Sequence, residues 1–155
     1  MQPVERIASR IVAVRGRRVL LGAHLAMLYG VQTKVLMQAV RRNAARFPRD
    51  FAFLLTEQEF ANLKSQYVTS SWGGIRKAPM AFTEHGALMA ASILNSRRAI
   101  EVSVFVVRAF LRMREALAAH KEIARRLDDL ERKVGTHDQA IGQILAALRQ
   151  LTAPR

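Results

Sequence analysis

The tightest constraint on this chain is a glycine set between two helical patterns. Residues 24–46 read HLAMLYGVQTKVLMQAVRRNAAR. Leu25, Ala26 and Leu28 give an apolar face at helical spacing, and Gly30 interrupts it with a residue free to take the positive φ of a tight turn. Thr33 is then expected to N-cap a second helix whose inward face is Leu36, Ala39 and Val40. Lys34, Met37, Gln38 and Arg41 fall on the outward face of that helix, with Arg42 and Arg46 toward its end. Ala26, four residues before Gly30, sits where the two helices must cross closely. Two helices, a short glycine turn and a cationic outer face make the layout of a DNA-binding helix-turn-helix, although a plain helical hairpin has the same spacing.

Charge separates those two readings. From Arg6 to Arg49 there are ten Lys or Arg and no Asp or Glu. A solvated surface ordinarily mixes both signs. The chain carries a net +13, of which residues 1–55 hold +8 (ten bases against two acids). Residues 56–116 hold +3 and residues 117–155 hold +2. The excess lies on the segment with the helix-turn-helix pattern, and such a surface attracts a polyanion. A basic face alone does not separate DNA from RNA.

Half of the residues are hydrophobic, enough for a real core. No apolar run approaches the roughly 20 residues of a membrane span, and MQPVERIASR lacks the apolar segment of a signal peptide. Absence of cysteine excludes disulfides and thiolate metal sites and fits the cytoplasm, where the protein is expected. His24, His85, His120 and His137 show no ligand spacing, so no metal site and no cofactor are expected. No nucleophile–base spacing, phosphate loop or carboxylate pair is visible, which argues against an enzyme.

In chain order, residues 11–14 and 18–21 are short β-prone runs, with Arg15-Gly16-Arg17 as the hairpin turn between them. Arg15, Arg17 and Arg18 have two readings: phosphate contacts, or charges that guard a sheet edge. Phe47-Pro48 ends the helical stretch, and residues 51–55 follow as a strand. Thr56 and Glu59 form a capping box for a helix burying Phe60 and Leu63. VTSSWGGIRK is a polar, glycine-rich loop; its Trp72, Arg76 and Lys77 either touch nucleic acid or, for Trp72, fold back on the domain. Residues 79–82 read as a strand paired with 51–55, and Thr83 caps an alanine-rich core helix with Glu84 in its first turn. Asn95-Ser96 breaks that helix. A long helix begins near Arg97, with Ile100, Val104, Val107 and Leu111 expected to pack on the domain.

Helical character continues to Leu151 in a heptad repeat. Leu127, Val134, Ile141 and Leu148 form one core position, and Ile123, Leu130, His137, Ile144 and Leu151 the other. Gly135 and Gly142 fall outside the seam. Its flanks place Arg126 against Glu131 and Lys133 against Asp138 of a second parallel chain, so a homodimer is expected; a helix packing back on its own domain is the alternative.

RGRRVLLGAHLAMLYGVQTK, QAVRRNAARFPRDFAFLLT and AFTEHGALMAASILNS with VVRAF resemble the ORF-six amino-terminal domain, a relative of the KilA-N domain. The similarity covers about residues 5–115. It implies DNA binding and a role in phage or prophage gene control, often of the antirepressor type, and a coiled-coil tail is familiar after such domains. His24 stands where the family usually has Asp. Met37 stands where it usually has Asn, an amide able to pair with adenine as a thioether is not.

The expectation is therefore an α+β chain: a small helix-turn-helix-containing domain with short β-hairpins over residues 1–115, then a long C-terminal coiled-coil helix over 116–155. Lys34, Arg41, Arg42 and Arg46 should hold phosphates or guanine edges of double-stranded DNA, with Gln32, Thr33 and Gln38 reading bases. The alternative is a module that binds a repressor or other regulatory protein instead of DNA.

Overall fold

The computed structural model describes residues 3–66, 78–137 and 139–152, with the side chains of 135–142 left aside. Trp72, Gly73, Gly74, Arg76 and Lys77, and the side chains of His137, Asp138 and Ile141, lie outside the described residues. The chain divides into two compact units, 1–113 and 114–155.

The first unit is α+β, built on a four-stranded antiparallel sheet. Its strands are β1 (Val12–Val14), β2 (Arg17–Leu21), β3 (Ala52–Leu54) and β4 (Met80–Phe82), in the order β1-β2-β4-β3. Arg15 and Gly16 alone form the first hairpin turn, at φ 55° and 73°; two successive positive φ values match the twist of the strands. Arg17 already pairs with Val14, so β2 starts one residue earlier than expected. The β3–β4 pairing matches the expected hairpin, from Ala52 opposite Phe82 to Leu54 opposite Met80. Unforeseen was the central junction, where Leu20 pairs with Phe82 and Leu21 with Ala81, fusing the two hairpins.

Both faces of this sheet are covered, which is why its strands read as apolar runs and not as an alternation. Val19, Leu21, Phe53, Leu55 and Ala81 point to one side, where Phe60 and Leu63 of α4 (Glu57–Gln66) close a small core. Leu20, Ala52 and Phe82 point to the other, toward α1 (Pro3–Ala8), α2 (Gly22–Tyr29), α3 (Thr33–Arg42), α5 (Glu84–Leu94) and the first part of α6 (Arg97–His137). The capping box of α4 is formed: the Glu59 amide donates to Thr56 Oγ1 at 3.0 Å, and the Thr56 amide to Glu59 Oε1 at 2.9 Å. Thr83 caps α5 by accepting from the Gly86 amide at 3.3 Å, while its own hydroxyl donates to the Phe51 carbonyl at 3.1 Å. Gly86 is obligatory there, because a Cβ would overlap the Phe51 carbonyl oxygen and lie 2.8 Å from its carbon.

Two helical expectations are corrected. On α6 the buried positions are Ala99, Ser103, Val106, Ala109 and Phe110, whereas Ile100, Val104 and Leu111 stay about half exposed. Ala99, Val106, Ala109 and Phe110 join Ala87, Ala90 and Ala91 in one core cluster, so the buried face of α6 mixes small residues with large ones. In the second unit the single helix through Leu151 is two helices, since α6 ends at His137 and α7 spans Gln139–Thr152. Arg149 Nη1 lies 2.9 Å from Glu131 Oε1. On one straight helix residues 18 apart stand about 27 Å apart along the axis, so α7 runs back along the end of α6. Among the described residues no helix is long and apolar enough to cross a membrane.

Candidate nucleic-acid interface

The outward face of α3 is set by how the helix is rolled against the core. Leu36 and Val40 are its buried residues, and they fix which side chains point away. Gln32, Thr33, Lys34, Val35, Gln38, Arg41 and Arg42 are exposed along the outer side. Arg46 is exposed in the 3-10 turn that follows, Ala44–Arg46. Sequence reasoning omitted Val35, which stands 40% exposed beside Lys34. Met37 was expected to face outward; it is half-buried instead, packed against the core, with its methyl 3.1 Å from where a Cβ on Gly22 would sit.

Five contacts fix the turn before this helix and the segment after it. The turn after α2 has Gly30 at φ 73°, with the Gly30 amide donating to the Met27 carbonyl at 3.2 Å and the Val31 amide to Ala26 at 3.0 Å. That paired pattern closes a helix end with a left-handed residue. Arg98, 70 residues away, donates from Nε to the Leu28 carbonyl at 3.2 Å, and its Cδ lies 2.6 Å from a hypothetical Gly30 Cβ. At the far end Asn43 Nδ2 donates to the Ala39 carbonyl at 2.8 Å, and Phe47 stands edge-on to Phe82 at 6.1 Å. Thr33 was expected to cap α3, but the cap position belongs to Gln32, whose side chain makes no capping bond. The first amides of α3 therefore have no side-chain partner from the cap residue, and no acid lies in its first turn.

The electrostatics of this face follow from what is absent near it. Among the described residues Arg17, Arg18, Lys34, Arg41, Arg42 and Arg46 form no ion pair with a carboxylate. Arg15 is different. Its Nε and Nη2 meet Glu59 at 2.7 and 2.8 Å, Nη2 donates to the Leu54 carbonyl at 3.3 Å, and the guanidinium lies 4.4 Å over the Phe53 ring. Arg15 is thus committed to pinning the first hairpin on α4, and its partners hold the Glu59 carboxyl down to about 2, chiefly through Arg15 and then the Thr56 amide. Of the hairpin cations, Arg17 is exposed and Arg18 half-exposed. Nothing local foretells the Arg15–Glu59 or Arg98–Leu28 contacts, which span 44 and 70 residues.

His24 lies in the core at 3% exposure, and burial followed by the nearby Arg10 charge pushes it down to about 4. It is a neutral packing residue at neutral pH. Tyr29 donates from its hydroxyl to the Ala87 carbonyl at 2.7 Å, tying α2 to α5, and burial raises its pKa.

The expected dimer residues of the second unit are open to solvent. Ile123, Leu127 and Leu130 on α6, and Ile144, Leu148 and Leu151 on α7, are all at least half exposed, and Val134 is half-buried.

A two-sided sheet carries a glycine-linked helix pair, and the second helix presents an acid-free cationic face, in one compact α+β domain. The chain belongs to the ORF6N domain family, whose model matches residues 9–93, from just before β1 to the last turn of α5. Membership suggests a phage-type regulatory protein. No curated protein and no solved structure gives a match.

Proposed function

We propose that this protein binds double-stranded DNA with α3 as the reading helix and regulates phage or prophage genes as a dimer in the cytoplasm. The observation that carries this is the outer face of α3. Lys34, Gln38, Arg41 and Arg42 stand exposed on a helix without a single acid, rolled outward by Leu36 and Val40. Residues early in such a helix reach the groove floor, so Gln32, Thr33 and Gln38 read bases while Lys34, Arg41, Arg42 and Arg46 hold phosphates or guanine edges. Val35 suits a thymine methyl. Arg17 and Arg18 are secondary phosphate contacts; Arg15, which pairs with Glu59, is ranked behind them. The reaction is binding, without catalysis or cofactor.

The test is genomic-fragment selection with the full chain, followed by a salt titration on the best fragment. Arg41→Ala with Arg42→Ala is expected to weaken binding in a folded protein. For each of these arginines that neutralises a phosphate, its removal lowers the slope of log K against log salt by about 0.9. Unchanged affinity at low salt would remove α3 from the mechanism.

The exposed seam of the second unit favours a homodimer, and equally supports the second reading, an antirepressor surface for a regulatory protein. With Glu131 engaged by Arg149 in its own chain, the second copy is expected to meet the α6–α7 pair. Leu127→Asp with Leu130→Asp should yield a monomer in sedimentation equilibrium; a wild-type monomer at micromolar concentration would refute the dimer.

A further inference from the structure

Alongside the reading face lies a cleft that DNA binding does not explain. It measures about 770 Å³ and is lined by Gly22 and Ala23 at the start of α2, by Thr33, Lys34, Met37 and Arg41 of α3, by Leu54 of the edge strand β3, and by Ala78, Pro79 and Met80 leading into β4. That size lies within the few hundred to about a thousand Å³ of small-molecule sites. The cleft exists because β3 is an edge strand. Ala52 is buried in the main core, whereas Leu54, two residues further along the same strand, remains 63% exposed. Its walls are mostly apolar. Among the described residues its polar groups are the Thr33 hydroxyl and two cations, and no carboxylate lines it. Lys34 and Arg41 are seven residues apart on one helix, hence about 10 Å along its axis, with the Met37 thioether between them.

We propose that this cleft binds an apolar small molecule bearing one acidic group, with its body on Met37, Leu54 and Met80 and its anion at Lys34 or Arg41. Charge complementarity selects the anion, and the volume selects a small molecule over a folded partner. Resting on the α3 reading above, the ligand also opposes DNA, because Lys34 and Arg41 cannot neutralise a bound anion and a phosphate together.

The probes are anilinonaphthalenesulfonate, followed by fluorescence, and octanoate as its competitor, with full-length protein carrying methyl-labelled methionine. Saturable one-to-one binding is expected, with resonance shifts at Met37 and Met80 and none at Met27. Leu54→Asp places a carboxylate on an exposed wall position; it should weaken binding at least tenfold without changing the melting temperature. Absence of saturable binding, shifts spread over all methionines, or indifference to Leu54→Asp would overturn the proposal. An acidic peptide that displaces the dye while octanoate does not would overturn it in favour of a protein partner. A DNA competition run alongside separates the two readings: ligand binding without DNA affinity refutes only the α3 assignment, and DNA affinity unmoved by saturating octanoate refutes only the antagonism.

Discussion

Replacing Gly30 by alanine tests the turn on which the orientation of α3 depends. Two separate penalties arise. The backbone there has φ 73°, a left-handed conformation that costs a residue with a Cβ about 1–2 kcal/mol. The new methyl would also stand 2.6 Å from Arg98 Cδ and 2.8 Å from its Nε, so the side chain must swing away and release the Leu28 carbonyl. A hydrogen bond of that kind contributes about 0.5–1.5 kcal/mol. Together they make a loss of roughly 2–3 kcal/mol, which at about 2–4 °C per kcal/mol lowers the melting temperature by roughly 4–12 °C. Urea titration should show a lower midpoint with an unchanged slope. Gly16 supplies an internal control, having the same φ of 73° and nothing within 4 Å of a built Cβ. Gly16→Ala should therefore show the backbone penalty alone. In an Arg98→Ala background, Gly30→Ala should shrink to that same value. A Gly30→Ala protein as stable as its parent, or effects at positions 30 and 98 that simply add, would refute the coupling.

Gly86→Ala should be the most damaging single methyl in the domain, because the obstacle is the Phe51 backbone and not a flexible side chain; a loss of about 3 kcal/mol or more, or failure to fold, is expected in the same urea titration. His24 sets an acid limit. The unfolded chain takes up its proton near pH 6.5, whereas the folded chain refuses it until about 4, so stability is full above 6.5 and falls as pH drops through that window. His24→Gln should abolish roughly 2–3 kcal/mol of that fall, and a pH–stability profile identical to the parent's would refute it. Glu59 contributes below that window: its stabilisation is present above about 4.5 and lost as pH falls toward 2. Arg15→Ala should return the Glu59 midpoint toward the ordinary carboxylate range in a carboxyl NMR titration, and a midpoint still near 2 would show that Arg15 is not its cause.

What could be read from the chain alone was whatever its own neighbours dictate. The Thr56–Glu59 capping box, the Thr83 cap, the Gly30 turn and the β3–β4 pair each rest on signals only a few residues wide or on plainly apolar runs. Misreadings arose where distant residues decide. Nothing near β2 or β4 says that Leu20 will pair with Phe82. The buried face of α6 includes Ala99, Ser103 and Ala109, whose weight in a hydrophobic pattern is slight. Met37 looked outward by spacing alone until Gly22 left room for it. Arg15, read either as a phosphate contact or as an edge charge, pairs with Glu59 of another element, which no local signal foretells.

The division of labour between α2 and α3 has an evolutionary consequence. In α2 Gly22, His24, Leu25, Ala26 and Tyr29 are all buried, so most changes there disturb packing. In α3 only Leu36 and Val40 are. Substitutions at the exposed positions 32, 33, 34, 38, 41 and 42 should each move stability by no more than about 0.5 kcal/mol. Descendants of this domain can therefore explore new binding partners by drift on one helix while its neighbour stays fixed. Across relatives, variation should pile up on the outer side of α3 and nearly vanish along α2.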